Sequence, residues 1–229
     1  MFEREGNMEK RRRFLKTIFK FITAIGFLLS PFFKVVQMVY AKTKKIILPK
    51  EADREDLIHK NPEDLDTRYL EITPLKDFRT MGISNHEVNL NDWRLEVIGH
   101  VKTPLNLTYS QVVALPSIER EVLMICPGIF VNHGRWKGIS MEKLFERAKM
   151  EEGVTHVTFS GPEGEYEKIE RWPIEDILSN KVFLAYGVNG ETLPKKHGFP
   201  LRVVAEGNYG SYWIKYVYKI EIEKIQQDG

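Results

Sequence analysis

The chain has 229 residues, 42% of them hydrophobic and 29% charged, with four Trp and thirteen Phe, which suffices for one ordinary domain with a sizeable core and does not read as a disordered chain. The formal charge of +2 is unevenly spread: residues 1–41 hold eight Lys/Arg against three Asp/Glu, a local +5, so the remainder sits near −3 and has no basic footprint for nucleic acid. One cysteine, no C-x-x-C-H run and no His pair at helical metal-binding spacing exclude a zinc ribbon, a cysteine-ligated iron–sulfur site within the chain and an attached c-type haem.

In chain order, Lys10-Arg11-Arg12-Arg13-Phe14-Leu15-Lys16 precedes a largely apolar stretch from Ile18 to Phe33, interrupted by Lys20. A charged segment followed by an apolar one is the layout of an export leader. The arginine run resembles a twin-arginine signal, with Val39-Tyr40-Ala41 as its small-residue end. Residues 1–41 are expected to be a signal peptide that sends the folded protein to the periplasm, or a membrane tether if retained. In such an oxidising compartment the unpaired Cys126 needs burial, pairing between chains or coordination.

Residues 42–80 lack sustained periodicity and are expected to form an arm across the surface. Trp93–Ile98 alternates as a half-buried strand, and Thr108–Leu115 reads as a short helix stopped by Pro116. Glu119–Ile125 is the next strand and delivers Cys126 at its end, where Pro127-Gly128 breaks into a loop expected to run to Arg135. Ser140 caps a helix with Met141, Leu144, Phe145 and Ala148 on one face. His156–Ser160 is a strand running into the turn Gly161–Gly164, Pro173 opens a helix through Leu178, and Val182–Tyr186 is a buried strand. Leu201–Ala205 and Trp213–Ile222 are expected to be the last two strands. Strands dominate and do not alternate with helices, so the class is α+β, mixed sheets with short helices, rather than doubly wound.

Three patches gather around Cys126 in sequence: Ser84-Asn85-His86 before it, then His197-Gly-Phe-Pro-Leu-Arg202 and Gly207-Asn-Tyr-Gly210 with Trp213-Ile214-Lys215-Tyr216 after it. Together with Leu184–Pro194, Trp136-Lys-Gly138 and Leu95–Gly99, in this order over about residues 78–223, they resemble the sulfite oxidase and bacterial methionine sulfoxide reductase type of molybdopterin-dependent oxidoreductase. Taken singly, each has an ordinary reading: a small buried cysteine, a turn asparagine, a surface histidine, strand cations, a turn glycine.

The resemblance implies a sulfite oxidase-type molybdopterin-binding fold for residues 81–229 and a molybdenum cofactor with molybdopterin. Cys126 matches the thiolate on the metal, a soft ligand that such a metal deprotonates. Asn85, His86, Gly161, His197, Arg202, Trp213, Ile214 and Lys215 match positions that hold the pterin and its phosphate, Arg202 and Lys215 as a charge-assisted clamp. His133 and Arg135 are expected as a substrate-pocket pair that holds an oxo group or shuttles a proton, or else as two polar loop residues. The family pattern is broken at Glu206, where it usually has Pro, and at Tyr212, where it has Lys or Arg. The segment after the cysteine also lacks the arginine pair with which sulfite oxidases grip their anion. Oxygen-atom transfer on an S-oxide is therefore favoured over oxidation of a sulfite-type anion or a non-catalytic pterin-fold module. No haem or flavin fingerprint is present, so a membrane haem subunit or a soluble cytochrome is expected as redox partner. Without the β-sandwich through which sulfite oxidases usually dimerise, a monomer is expected.

Overall fold

The computed structural model describes residues 45–164 and 168–225; the leader lies outside the described residues. Residues from Ile46 onward form one compact unit, whose described strands lie mainly in two five-stranded sheets. The first is built from β5 (Ser117–Cys126), β6 (Phe130–Ile139), β9 (Val182–Val188), β10 (Glu191–Thr192) and β11 (Arg202–Ala205). It runs β10-β9-β6-β5, with β11 also paired to β9. The second has the order β4-β3-β12-β7-β8 and uses β3 (Leu95–Gly99), β4 (Leu105–Leu107), β7 (His156–Ser160), β8 (Ile169–Pro173) and β12 (Lys219–Glu223). Only β12 and β3 pair parallel within it, so the last strand of the chain returns beside the first of this sheet.

Short helices fill the connections, each with a local reason for its bounds. In α2 (Tyr109–Val113) the Thr108 hydroxyl accepts from the Gln111 N–H while the Gln111 side chain accepts from the Thr108 N–H, which satisfies two otherwise orphaned donors. In α3 (Met141–Ala148) Ser140 caps the start, Met141, Leu144, Phe145 and Ala148 are all buried, and Lys149 ends it in the left-handed conformation at φ 53°. α4 (Ile174–Leu178) follows Pro173 and buries Ile174 and Ile177. Among the described residues no helix is long and apolar enough to cross a membrane.

The β5–β6 hairpin sorts its side chains by strand alternation. Val122 and Met124 enter the main core with Phe130 and Trp136. Leu123, Ile125 and Val131 point to the other face, where Leu48, Leu57, Leu65 and Leu70 of the arm cover them. The arm therefore contributes a second small core. It contains β1 (Ile46–Ile47), which pairs parallel with β2 (Leu65–Asp66), and α1 (Arg54–Leu57).

Two expectations are corrected. The loop expected from Pro127 to Arg135 is only a turn: Ile129 N–H donates to the Cys126 carbonyl, and β6 begins at Phe130. Asn132, His133 and Gly134 hide the strand in sequence, because their polar groups are satisfied by the arm rather than by solvent. The Asn132 amide brackets the Arg79 backbone, and the His133 N–H and C=O pair with Thr73. The strand expected over Trp213–Ile222 is confined to Lys219–Glu223. Before it the chain follows an irregular path through a single bridge, Lys215 to Arg202, and through Tyr216 at φ 57°.

Leu144, fully buried on α3, should lose about 2–5 kcal/mol on Leu144→Ala through lost burial and an unfilled cavity. The urea midpoint should fall with the slope unchanged.

Candidate active site

Strand alternation that sends Leu123 and Ile125 under the arm turns Met124 and Cys126 the other way. There they meet residues 80–85, Arg202 at the head of β11 and the segment Gly210–Tyr216 around a cleft of about 860 Å³. Cys126 is half-buried at the end of β5, its thiol 3.7 Å from the Met81 sulfur. Burial pushes this thiol up, and the nearby Arg79 guanidinium opposes that. Phe130, Met81 and Met124 make the cleft apolar around it.

Arg202 is 2% exposed. It donates to the His197 carbonyl at 2.9 Å and to the Met124 sulfur at 3.5 Å, and lies over the Trp136 and Trp213 rings at 5.2 and 5.5 Å. Its Nε has no partner, and among the described residues no carboxylate faces it. Burial pulls this guanidinium down to about 10. His197 is equally buried, neither ring nitrogen is partnered, and it packs edge-on against Phe78 at 5.8 Å. Burial first, then the charges of Arg202, Lys196 and Lys215, hold it down to about 4, so it is neutral at pH 7.

Lys215 comes close to both because Gly198 allows it. Gly198 has φ +109°, and a Cβ there would lie 3.0 Å from the Lys215 Cβ and 3.2 Å from the Arg202 Cβ. Burial and Arg202 pull the Lys215 ammonium down to about 8. Trp213 donates its indole N–H to the Asn208 carbonyl, and the Ile214 carbonyl accepts from Val203.

Of the residues singled out in sequence, the cleft is lined by Asn85, Cys126, Arg202, Trp213 and Lys215. Others stand behind its wall. His86 is hydrogen-bonded to the Tyr218 hydroxyl at 2.9 Å and packs on Tyr216. His197 backs Arg202 through its carbonyl. Gly161 abuts Ile214 and the Lys215 carbonyl. His133 and Arg135 are not brought to the cleft, because both occupy the β6 parity that faces the arm. His133 is buried with Nδ1 on the Glu71 carbonyl, and Arg135 pairs with Glu121 across the hairpin at 2.7 Å. Glu206 pairs with Arg120, and Tyr212, 44% exposed, packs edge-on to Trp172; neither lines the cleft. Sequence reasoning missed Met81, Met124, Phe130 and Lys168, which do line it, since nothing local distinguishes them from core or surface residues; Tyr216, at the end of the last motif, lines it too.

A family model described as "Oxidoreductase molybdopterin binding domain" matches residues 81–229. The chain belongs to this family. Among relatives, the molybdopterin-binding domain is 31% identical over 169 residues to a nitrate reductase [NADH] of Lotus japonicus, covering 61% of this chain and 19% of that protein. It is 30% identical over 145 residues to the protein-methionine-sulfoxide reductase catalytic subunit MsrP of Gluconobacter oxydans, covering 57% and 46%. The fold matches that of the sulfane dehydrogenase SoxCD from Paracoccus pantotrophus at a TM-score of 0.57 and 23% identity, over 63% of this chain and 41% of that one. The chain thus spans less than half the length of either relative.

The side chains fit the family's molybdenum-bearing pterin. A buried guanidinium with an unpartnered Nε, faced by no carboxylate among the described residues, and a buried Tyr216 hydroxyl without a partner have the chemistry to receive an anionic, hydrogen-bonding heterocycle. A thiol stands on the same cleft. Among the described residues no group of three or more His, Cys, Asp or Glu side chains gathers as a metal cage.

His197 links this site to stability. Its ordinary value is 6.5 and its folded value about 4, so between these pH values the unfolded chain binds the proton more readily. The stability is complete above pH 6.5 and is lost as pH falls toward 4, on the order of 3 kcal/mol. His197→Gln should flatten the urea midpoint across that window; an unchanged slope would assign it to other groups.

Proposed function

We propose that the chain is a catalytic domain that carries molybdenum with molybdopterin in the Cys126 cleft and transfers an oxygen atom, with reduction of an S-oxide favoured. Cys126 would bind the metal. Asn85 and Arg202 would hold the pterin and its phosphate from the cleft, with Trp213, Ile214 and Lys215 beside Arg202 on the same wall and His86, Gly161 and His197 supporting it. Bound there, the cofactor supplies two-electron redox chemistry and an acceptor for the oxygen atom. Overall, an S-oxide, two protons and two electrons give a sulfide and water, the electrons arriving from an external haem subunit or cytochrome.

The observation that carries the reading is one cleft shared by the Cys126 thiol and the Arg202 guanidinium, which no carboxylate faces among the described residues. The chain's own residues then divide the work. Arg202, held by two indole rings and a carbonyl, has its position set by the fold before an anion arrives. Met81 and Phe130 keep the space beside Cys126 apolar, which suits a neutral S-oxide better than a strongly hydrated anion. The leader's arginine run and the methionine-sulfoxide reductase relative support export to the periplasm, and that relative supports the S-oxide substrate.

A second reading, oxidation of a sulfite-type anion, is favoured by Arg79, whose exposed guanidinium lies over Phe130 at 5.6 Å and acts electrostatically on Cys126.

Protein made with cofactor synthesis intact should hold about one molybdenum per chain, and Cys126→Ser should bring dye-linked S-oxide reduction to background. Turnover of sulfite and not of S-oxides would select the second reading. Metal-free wild type would overturn both.

A further inference from the structure

Lys215 has more acceptors than it has protons to give. Its ammonium lies 2.7 Å from the Thr80 hydroxyl, 2.9 Å from the Met81 carbonyl, 2.7 Å from the Ile83 carbonyl and 3.2 Å from the Lys196 carbonyl. An ammonium donates three hydrogen bonds, and three of these acceptors belong to one short loop, residues 80–83. The loop is otherwise lightly held: Thr80 donates from its hydroxyl to the Lys196 carbonyl, and the Asn132 amide brackets Arg79 just before it. Thr80, Met81, Gly82 and Ile83 all border the cleft, and Met81, 57% exposed, sets its sulfur against the Cys126 thiol. Few apolar contacts and three bonds to a single cation make a segment whose conformation depends on that cation.

We propose that Lys215 is a positioning residue: its ammonium pins the 80–83 loop over Cys126, while the anion of the bound cofactor is taken by Arg202. Arg202 and Lys215 thereby have separate duties. Arg202 has an N–H without a partner and, among the described residues, no acid facing it; Lys215 has its protons committed to the protein. The compact point charge of lysine suits this task, because three carbonyl and hydroxyl oxygens can surround an ammonium, whereas a planar fork suits an anion. What Lys215 would control is the wall against which a substrate approaches Cys126.

The division concerning the anion rests on the proposed cofactor reading, whereas the loop anchor does not, and the two are tested separately. In full-length protein purified from cells that lack pterin synthesis, Lys215→Met should raise amide exchange of residues 79–86 and the alkylation rate of Cys126 about tenfold, without raising exchange in α3 or β9. Lys215→Arg should restore part of the protection, and Thr80→Val, which removes one acceptor from the other side, should raise exchange by a smaller factor. Unchanged exchange and alkylation in Lys215→Met would overturn the anchor. In protein made with cofactor synthesis intact, Arg202→Met should lose about tenfold or more of the bound molybdenum, and Lys215→Met should retain most of it. Equal loss from both variants would overturn the division of duties. Metal-free wild type would instead defeat the cofactor reading and leave the exchange result to decide the anchor.

Discussion

A buried guanidinium packed beside two indole rings, with no carboxylate facing it among the described residues, is an expensive thing for a fold to keep, since one carbonyl and a thioether offset only part of the lost hydration. Much of the cleft is arranged around Arg202. Gly198 makes the turn that brings it against Lys215, Trp136 and Trp213 pack edge-to-face with each other beside it, and the same positive charge helps keep His197 neutral. Such a concentration of unneutralised charge in a low-dielectric wall favours an anionic guest. It fits the molybdopterin of the family to which residues 81–229 belong.

The second constraint is the two-residue repeat of the β5–β6 hairpin. Because β6 lies between β5 and β9, with the arm over one face and the main core under the other, every side chain on it is sorted by parity. Cys126, Met124 and Phe130 fall on the cleft side, and His133 and Arg135 on the arm side. Closeness in sequence to Cys126 therefore says little about closeness to its sulfur. Met81, forty-five positions away, touches it.

The arm is what makes this sorting possible. Its leucines cover Leu123, Ile125 and Val131, and its backbone satisfies Asn132 and His133, so a strand carrying polar residues can be buried on both faces. It then passes directly into the 80–83 loop that borders the cleft. Core packing on one side of the hairpin and the shape of the site on the other are thus linked through a few residues of continuous chain.

The sequence by itself determined the α+β class, the capped helix on Met141, Leu144, Phe145 and Ala148, the strand ending at Cys126 and the family, because these rest on local periodicity, capping chemistry and ordered motifs. It also picked out Asn85, Cys126, Arg202, Trp213 and Lys215 as a group. Only the tertiary structure decided that β6 is a strand, since the groups that satisfy its polar residues Asn132 and His133 lie fifty or more residues away in the arm. The same holds for the place of Met81 against the thiol, the lack of an acid facing Arg202 among the described residues and the occupation of the Lys215 ammonium by loop oxygens. Burial, parity and the pairing of charges depend on what lies across a gap in space, which no spacing along the chain records.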